Sequence, residues 1–273
     1  MTLVEHLREL RTRLVKAVLA IVVCAVVGWY LFDPIFSLLK DPFLELPVDN
    51  KDLDTRLTLS GITDPFFLRL KIALMVGVIL ASPVWLYQLW AFIMPGLHRT
   101  ERRWSLLFLG TAVPLFLAGV GLAYVVLPKG LSLLIGFTPT DVSNFVQVDG
   151  YLSFVIRLTL AFGLAFELPV FIVMLNLAGV VSAASLRRRR AVIVFAVFVF
   201  AAVATPTGDP VTMLSLGLPM VALFEGSVLV ARFVDRRRAR MSGEPDYEAI
   251  GDDETSAVDT RPSRLDDDTP ATH

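Results

Sequence analysis

The chain is governed by a series of apolar stretches separated by arginine-rich breaks. Six can be marked: Leu14–Leu31, Phe66–Met94, Trp104–Leu127, Tyr151–Val180, Ala191–Ala204 and Val211–Val230. A bilayer core about 30 Å thick takes about 20 apolar residues in a helix to cross. No water there satisfies backbone N–H and C=O groups, so such a stretch crosses as a helix. The composition agrees: 55% of the 273 residues are apolar and 19% charged, against about 45–50% and about 25% in soluble domains. The predicted fold is all-α, a polytopic membrane protein with six transmembrane helices. Pro83, Pro114 and Pro169 fall inside spans and should kink them. Ala191–Ala204 and Val211–Phe224 each supply fewer apolar residues than the roughly 17 usually needed. They read as a short hairpin that thins the bilayer or is covered by partners.

The first 31 residues have the basic start and apolar run of a signal peptide, but no convincing small-x-small cleavage site precedes Asp33-Pro34. They are read as a retained first span. Lys and Arg in the breaks set the orientation. Alternate breaks carry Arg8, Arg11, Arg13 and Lys16, then Arg99, Arg102 and Arg103, then Arg187 to Arg190, then Arg232 and the arginines to Arg240. The other side has Lys40, Lys51, Arg56 and Lys129, giving sixteen against four. Both termini are therefore expected in the cytoplasm. Segments 33–65 and 128–150 are long enough to form caps on the opposite face. Segment 241–273 is acidic, with Asp252, Asp253, Glu254, Asp266, Asp267 and Asp268, and almost free of large apolar residues. It is read as a disordered tail, because it cannot bury enough surface to offset ordering entropy.

Several function classes are excluded. A net charge of −1 argues against a globally basic nucleic-acid binder. One cysteine, Cys24, forms no intramolecular disulfide and no Cys-based metal site. His6, His98 and His273 are scattered. There is no P-loop and no Ser/His/Asp arrangement, so no enzyme, cofactor or metal is expected. Four features carry information. Glu5, Arg8, Glu9 and Arg13 lie within a turn or so of one another, while Leu3, Leu7, Leu10 and Leu14 share a face. This is an interfacial helix, or a polar docking surface built on one. Glu101 is the sole acid among Arg99, Arg102 and Arg103. It makes a weak local ion pair, or offers its carboxylate to an incoming guanidinium. Glu167 lies mid-span before Pro169, where a charge costs a few kcal/mol unless it is paired or neutral. It is a proton site, a polar anchor for a partner helix, or a structural group. Arg157, about 15 Å away along the same helix, is out of direct reach. Thr205-Pro206-Thr207-Gly208-Asp209-Pro210 is a tight turn in which Asp209 could cap the last helix.

These pieces resemble TatC, the receptor family of twin-arginine protein translocation. The matching segments, in family order, begin with His6-Leu7-Arg8-Glu9-Leu10-Arg11, Asp64-Pro65-Phe66-Phe67, Ala81-Ser82-Pro83 through Pro95, and Glu101-Arg102-Arg103. They continue with Ala161-Phe162-Gly163 through Glu167-Leu168-Pro169, Thr205-Pro206, Leu218-Pro219-Met220 and Phe224-Glu225. The resemblance implies six kinked helices around a concave polar face, and a receptor that binds Arg-Arg signal peptides at the cytoplasmic face. It implies that TatA-like and TatB-like partners are recruited, that folded proteins are exported on the proton-motive force, and that the receptor forms homo-oligomers in the cell membrane. It assigns signal-peptide binding to Glu9, Arg11, Phe92 and Glu101. It assigns the intramembrane partner contact to Glu167, with Thr205 and Asp209 in the hairpin, and matches Pro42 to the proline of the first extracytoplasmic loop. Met213 stands where the family pattern has a polar residue. A proton-coupled solute carrier using Glu167 is the rival reading, and a membrane scaffold the third. Carriers of that kind usually show internal repeats, and none is visible here.

Overall fold

The computed structural model describes residues 3–44, 56–59, 61–93, 101–136, 145–205 and 210–242. They form nine helices and one two-stranded sheet. In chain order these are α1 (Leu3–Tyr30), α2 (Phe32–Leu44), β1 (Arg56–Thr58), α3 (Asp64–Leu80), α4 (Ser82–Ile93), α5 (Glu101–Gly136), β2 (Phe145–Gln147), α6 (Val148–Leu177), α7 (Ala183–Arg188), α8 (Arg190–Ala204) and α9 (Pro210–Ser242). The acidic segment lies outside the described residues from 243 onward.

The predicted second span is two helices, α3 and α4, meeting at 60°. Pro83 takes the second position of α4, where a missing backbone donor costs nothing. The break is sealed from within: the Trp85 indole N–H donates to the Val78 carbonyl of α3 at 2.9 Å. Pro114, Pro128, Pro169 and Pro219 instead sit inside continuous helices. The third span is longer than predicted. The helix passes Pro128-Lys129 and ends at Gly136, because Leu131 and Ile135 bury in the main core and offset the lost bond. Part of the expected second cap is therefore helix. The fourth span begins and ends three residues earlier than predicted, since Gly179 adopts φ +77° and Gly179 N–H donates to Asn176 O. Glycine carries such a left-handed stop without a Cβ penalty. Of the two spans expected to be short, the fifth is: α8 has 15 residues, about 22 Å of helix. The sixth is not: Pro210–Arg238 of α9 is long and apolar enough to cross, since Glu225, which cut the apolar run in sequence, is paired with Arg190 and the helix continues past it.

Helix pairing rests on glycine. A Cβ on Gly119 of α5 would lie 2.5 Å from the Phe162 carbonyl of α6, and one on Gly163 would strike the Phe116 ring. Gly28 and Gly77 play the same part between α1 and α3. In a bilayer, lipid matches apolar side chains, so close backbone approach and dispersion replace the hydrophobic drive. The main core runs from Leu39 and Phe43 of α2 through Ile72 and Met75 to Leu127, Leu152, Phe162 and Leu216. At one end α2 turns 80° from α1 and lies across the bundle. Tyr151 Oη donates to the Leu39 carbonyl and Tyr124 Oη to that of Leu38. β1 pairs in parallel with β2, Arg56 opposite Phe145. Lys71 of α3 pairs with Asp149 of α6 and donates to Ser153 Oγ at 3.1 Å. The described parts of segments 33–65 and 128–150 thus pack together at this end of the bundle.

Candidate functional site

The candidate residues separate into an end notch and an interior group. The notch begins with α1. Its half-buried positions His6, Glu9 and Arg13 recur at helical spacing, so this polar stripe is the one turned toward the protein. Leu7, Leu10 and Leu14 face outward and are exposed. The leucine face therefore points to lipid and the charged face to α4, because an interfacial helix finds its apolar partner in the bilayer.

The His6 ring stacks on Phe92 near the end of α4, centroids 4.5 Å apart and planes 23° from parallel. One turn further along α1, Glu9 accepts from Arg13 Nε at 2.9 Å and from Arg13 Nη2 through the same oxygen, Oε1. Glu5, Arg8, Glu9, Thr12, Arg13 and Lys16 line a cavity of about 480 Å³. Glu101 is the first residue of α5, eight positions beyond the last described residue of α4. Of the four predicted recognition residues, Glu9 lines this α1 groove, and Phe92 meets α1 one turn away, at His6. Arg11 lies two positions from Glu9, off the packed stripe, and is exposed. His6 is the notch residue that sequence reasoning passed over. Its signal was its helical spacing to Glu9.

The interior group is Glu167. It is buried, and neither carboxylate oxygen has a hydrogen-bond partner among the described residues. Arg157 is exposed and makes no pair with it. Glu167 shares a stripe of α6 with Gly163, Val170 and Met174. Val170 and Met174 belong to a cluster with Leu86 and Trp90 of α4 and Phe108, Ala112 and Phe116 of α5. An unpartnered carboxyl in such surroundings is costly to the fold. The next two residues, Leu168 and Pro169, border an apolar cleft of about 300 Å³, closed by α8 and α9 through Ile193, Val197, Phe200 and Met220. Thr205 ends α8 with its Oγ1 donating to the Ala201 carbonyl at 2.8 Å, which leaves it buried in a structural bond. Asp209 lies outside the described residues. Met213 packs against the main core. Pro42 is buried inside α2.

Sequence reasoning also missed a polar clamp between α6, α7 and α9. Asp235 accepts from Asn176 Nδ2 at 2.9 Å and from the Ala183 N–H at 2.8 Å. Arg238 Nη2 donates to the Leu177 carbonyl at 2.9 Å. Arg190 pairs with Glu225 at 2.6 Å. Asn176, a buried amide in an apolar run, was the legible sign.

These features define a multi-pass helical membrane protein with polar groups gathered at one end and an isolated carboxyl inside. The family described as "Sec-independent protein translocase protein (TatC)" matches residues 5–219. The chain is 48% identical to the TatC protein of Frankia casuarinae over 95% of its own length and 73% of that relative's. With the TatC protein of Aquifex aeolicus it shares 37% identity over 87% and 98% of the two chains. Its fold is similar to a crystal structure titled as the twin arginine translocase receptor TatC, with a TM-score of 0.70 and 36% identity, covering 83% of this chain and 99% of that one. The chain belongs to the TatC family. It is a multi-pass membrane component of the Sec-independent, twin-arginine protein translocation machinery.

Proposed function

We propose that this chain is the receptor of its translocase, binding Arg-Arg signal peptides with Glu9 and Glu101 at the cytoplasmic face. The observation that carries this reading is the His6–Phe92 stack, which joins the Glu9 turn of α1 to the end of α4 just ahead of the Glu101 loop. Two planar guanidinium groups call for two carboxylates near an interface, since each pair can form a bidentate, charge-assisted contact. Glu9 is already bound to Arg13, but an i,i+4 pair is worth only about 0.3–0.5 kcal/mol. An incoming arginine displaces Arg13 or takes Oε2 at little cost. Phe92 stacks on His6 one turn before Glu9 and offers an apolar surface beside it, and Arg11 contributes through the exposed face of the same turn.

In this reading Glu167 awaits a polar group on a partner helix. TatA-like and TatB-like single-span proteins are the partners, with Thr205 and Asp209 in the hairpin they meet and Pro42 supporting the opposite cap. The receptor works as a homo-oligomer, with both termini cytoplasmic, and the proton-motive force drives export of folded substrates. The lone carboxyl of Glu167 supports this partner role, because an unpaired polar group inside a membrane protein favours a ligand that pairs it.

The test is photo-crosslinking from residues 94–100, just before Glu101, in membranes containing the partner proteins. An Arg-Arg precursor should crosslink strongly. Its Lys-Lys counterpart should crosslink about tenfold less, as an ammonium lacks the bidentate fork, and Glu101→Ala should reduce the Arg-Arg signal by a similar factor. Equal crosslinking of both precursors to folded protein rejects the assignment.

A further inference from the structure

We infer that the cleft between α6, α8 and α9 holds one acyl chain of an anionic phospholipid, whose phosphate rests on the run of Arg187, Arg188 and Arg189. The apolar half of this site is a trough of about 300 Å³. Its α8 wall runs from Ile193 to Phe200 and its α6 wall from Ala165 to Ile172. Each wall covers seven residue steps, about 10 Å of helix. The trough is therefore about 30 Å² in section, the girth of one hydrocarbon chain. A helix is about 10 Å across and a single turn of it displaces roughly 400 Å³, so a helix does not seat within it. Leu168, Ala196 and Phe200 are exposed and form the open side. α8 packs chiefly on α9 and little on α6. An empty trough there forfeits dispersion contacts along both walls, and hydrocarbon restores them.

The charged half begins on the same stripe. The Ile193 N–H donates to the Arg189 carbonyl at 3.0 Å, so Arg189 stands one turn before Ile193 and heads the row that lines the trough. The rise between them is about 6 Å, which matches a headgroup layer of about 5–7 Å. Arg187, Arg188 and Arg189 are exposed, and none pairs with an acid among the described residues. Arg190 is taken by Glu225. The run is also set deep. Ala183 is tied to Asp235, whereas Arg190 is tied to Glu225, ten residues back along α9. The seven steps from Ala183 to Arg190 rise about 10 Å, so α7 lays the arginines down along α9 toward the bilayer. Beyond Glu225 the exposed side chains Leu229, Val230 and Phe233 of α9 still call for hydrocarbon. Cations at that depth are costly without an anion beside them. A phosphate drawn in to the arginines, with its chain running down the α8 stripe, answers both needs. The ammonium of a zwitterionic headgroup meets like charge here, so the site selects phosphatidylglycerol over phosphatidylcholine. The bound lipid packs α8 against α6 at its arginine end and leaves the Thr205 end, about 8 Å beyond Phe200, open.

The experiment is native mass spectrometry of the full chain in detergent micelles supplied with palmitoyl-oleoyl phosphatidylglycerol or phosphatidylcholine. The chain should hold one phosphatidylglycerol at least about tenfold more tightly than phosphatidylcholine, since each arginine near a headgroup is worth about fivefold. Arg187→Gln with Arg188→Gln and Arg189→Gln should remove that preference. Ala196→Trp, at an exposed position, should weaken binding by a similar factor because it fills the trough. Arg236→Gln with Arg237→Gln and Arg240→Gln removes as much charge away from the trough. It should change binding less than about twofold, because a Debye length of about 8 Å screens charges that far off. Loss with the first variant but not with Ala196→Trp overturns the inference, because charge alone would then gather the lipid. So does equal binding of the two lipids. In membranes containing the partner proteins, a photoreactive side chain at position 196 should form a phospholipid adduct. An adduct with a protein helix in its place gives the cleft to a partner and also overturns the inference.

Discussion

α1 and α6 are helices of 28 and 30 residues, both apolar through their middles, yet they live in different surroundings. Gly28 is the one buried residue of α1 among those whose side chains are described. More than half of the most apolar window of α6 is buried. α1 keeps its charges at one end, on the stripe that meets α4. α6 carries a carboxyl about two-thirds of the way along, on a stripe that meets aromatic and aliphatic side chains of α4 and α5. Hydropathy therefore reports that a helix crosses a membrane, and not whether its neighbours are lipid or protein. Lipid and core are both apolar, so the distinction is written in glycines and in isolated polar residues.

The comparison breaks most sharply at the α5–α6 crossing. Gly163→Leu drives a side chain into the Phe116 ring, and overpacking of this sort costs about 1–3 kcal/mol or more. The expected result is a large fall in folded protein recovered in detergent, read by thermal unfolding. Normal recovery would show that the helices separate freely and that α6 is no more central than α1. Glu167→Leu sharpens the contrast by dividing stability from function. Removing a buried, unpartnered carboxyl should leave the unfolding temperature equal or raised, while export of an Arg-Arg reporter falls at least tenfold. A fall in both would make Glu167 a structural group. The smallest effect is expected on the lipid side of α1. Val22→Ala, at a half-exposed position, should change stability by less than about 0.5 kcal/mol and leave export unchanged. A larger loss would mean that this face is covered by another chain.

Much of the fold was legible. The six apolar stretches reappear as helices, the bend in the second falls at Pro83, and the fifth is short. What failed to show was where packing outvotes local signals. Pro128 reads as a stop, yet Leu131 and Ile135 carry the helix to Gly136. The α1 leucines read as the lipid face of an interfacial helix, but nothing local told that the His6, Glu9 and Arg13 stripe is the one that packs. Glu9 and Phe92 could each be singled out along the chain, but what brings Phe92 within a turn of Glu9 is its stack on His6, 86 positions away. The Asn176 and Asp235 clamp joins residues 59 apart, and Lys71 meets Asp149 across 78. No local pattern encodes such pairs.

The sequence alone determined that this is a helical membrane protein, where its apolar helices lie, and where its isolated carboxyl lies. These follow from the cost of exposing backbone groups and charge to hydrocarbon, a cost felt residue by residue. The tertiary structure decided which helices are central, which face of α1 turns inward, and that no described group hydrogen-bonds to Glu167. Those depend on close approach between distant segments, where a missing Cβ or a single hydrogen bond selects one packing among many of equal hydropathy.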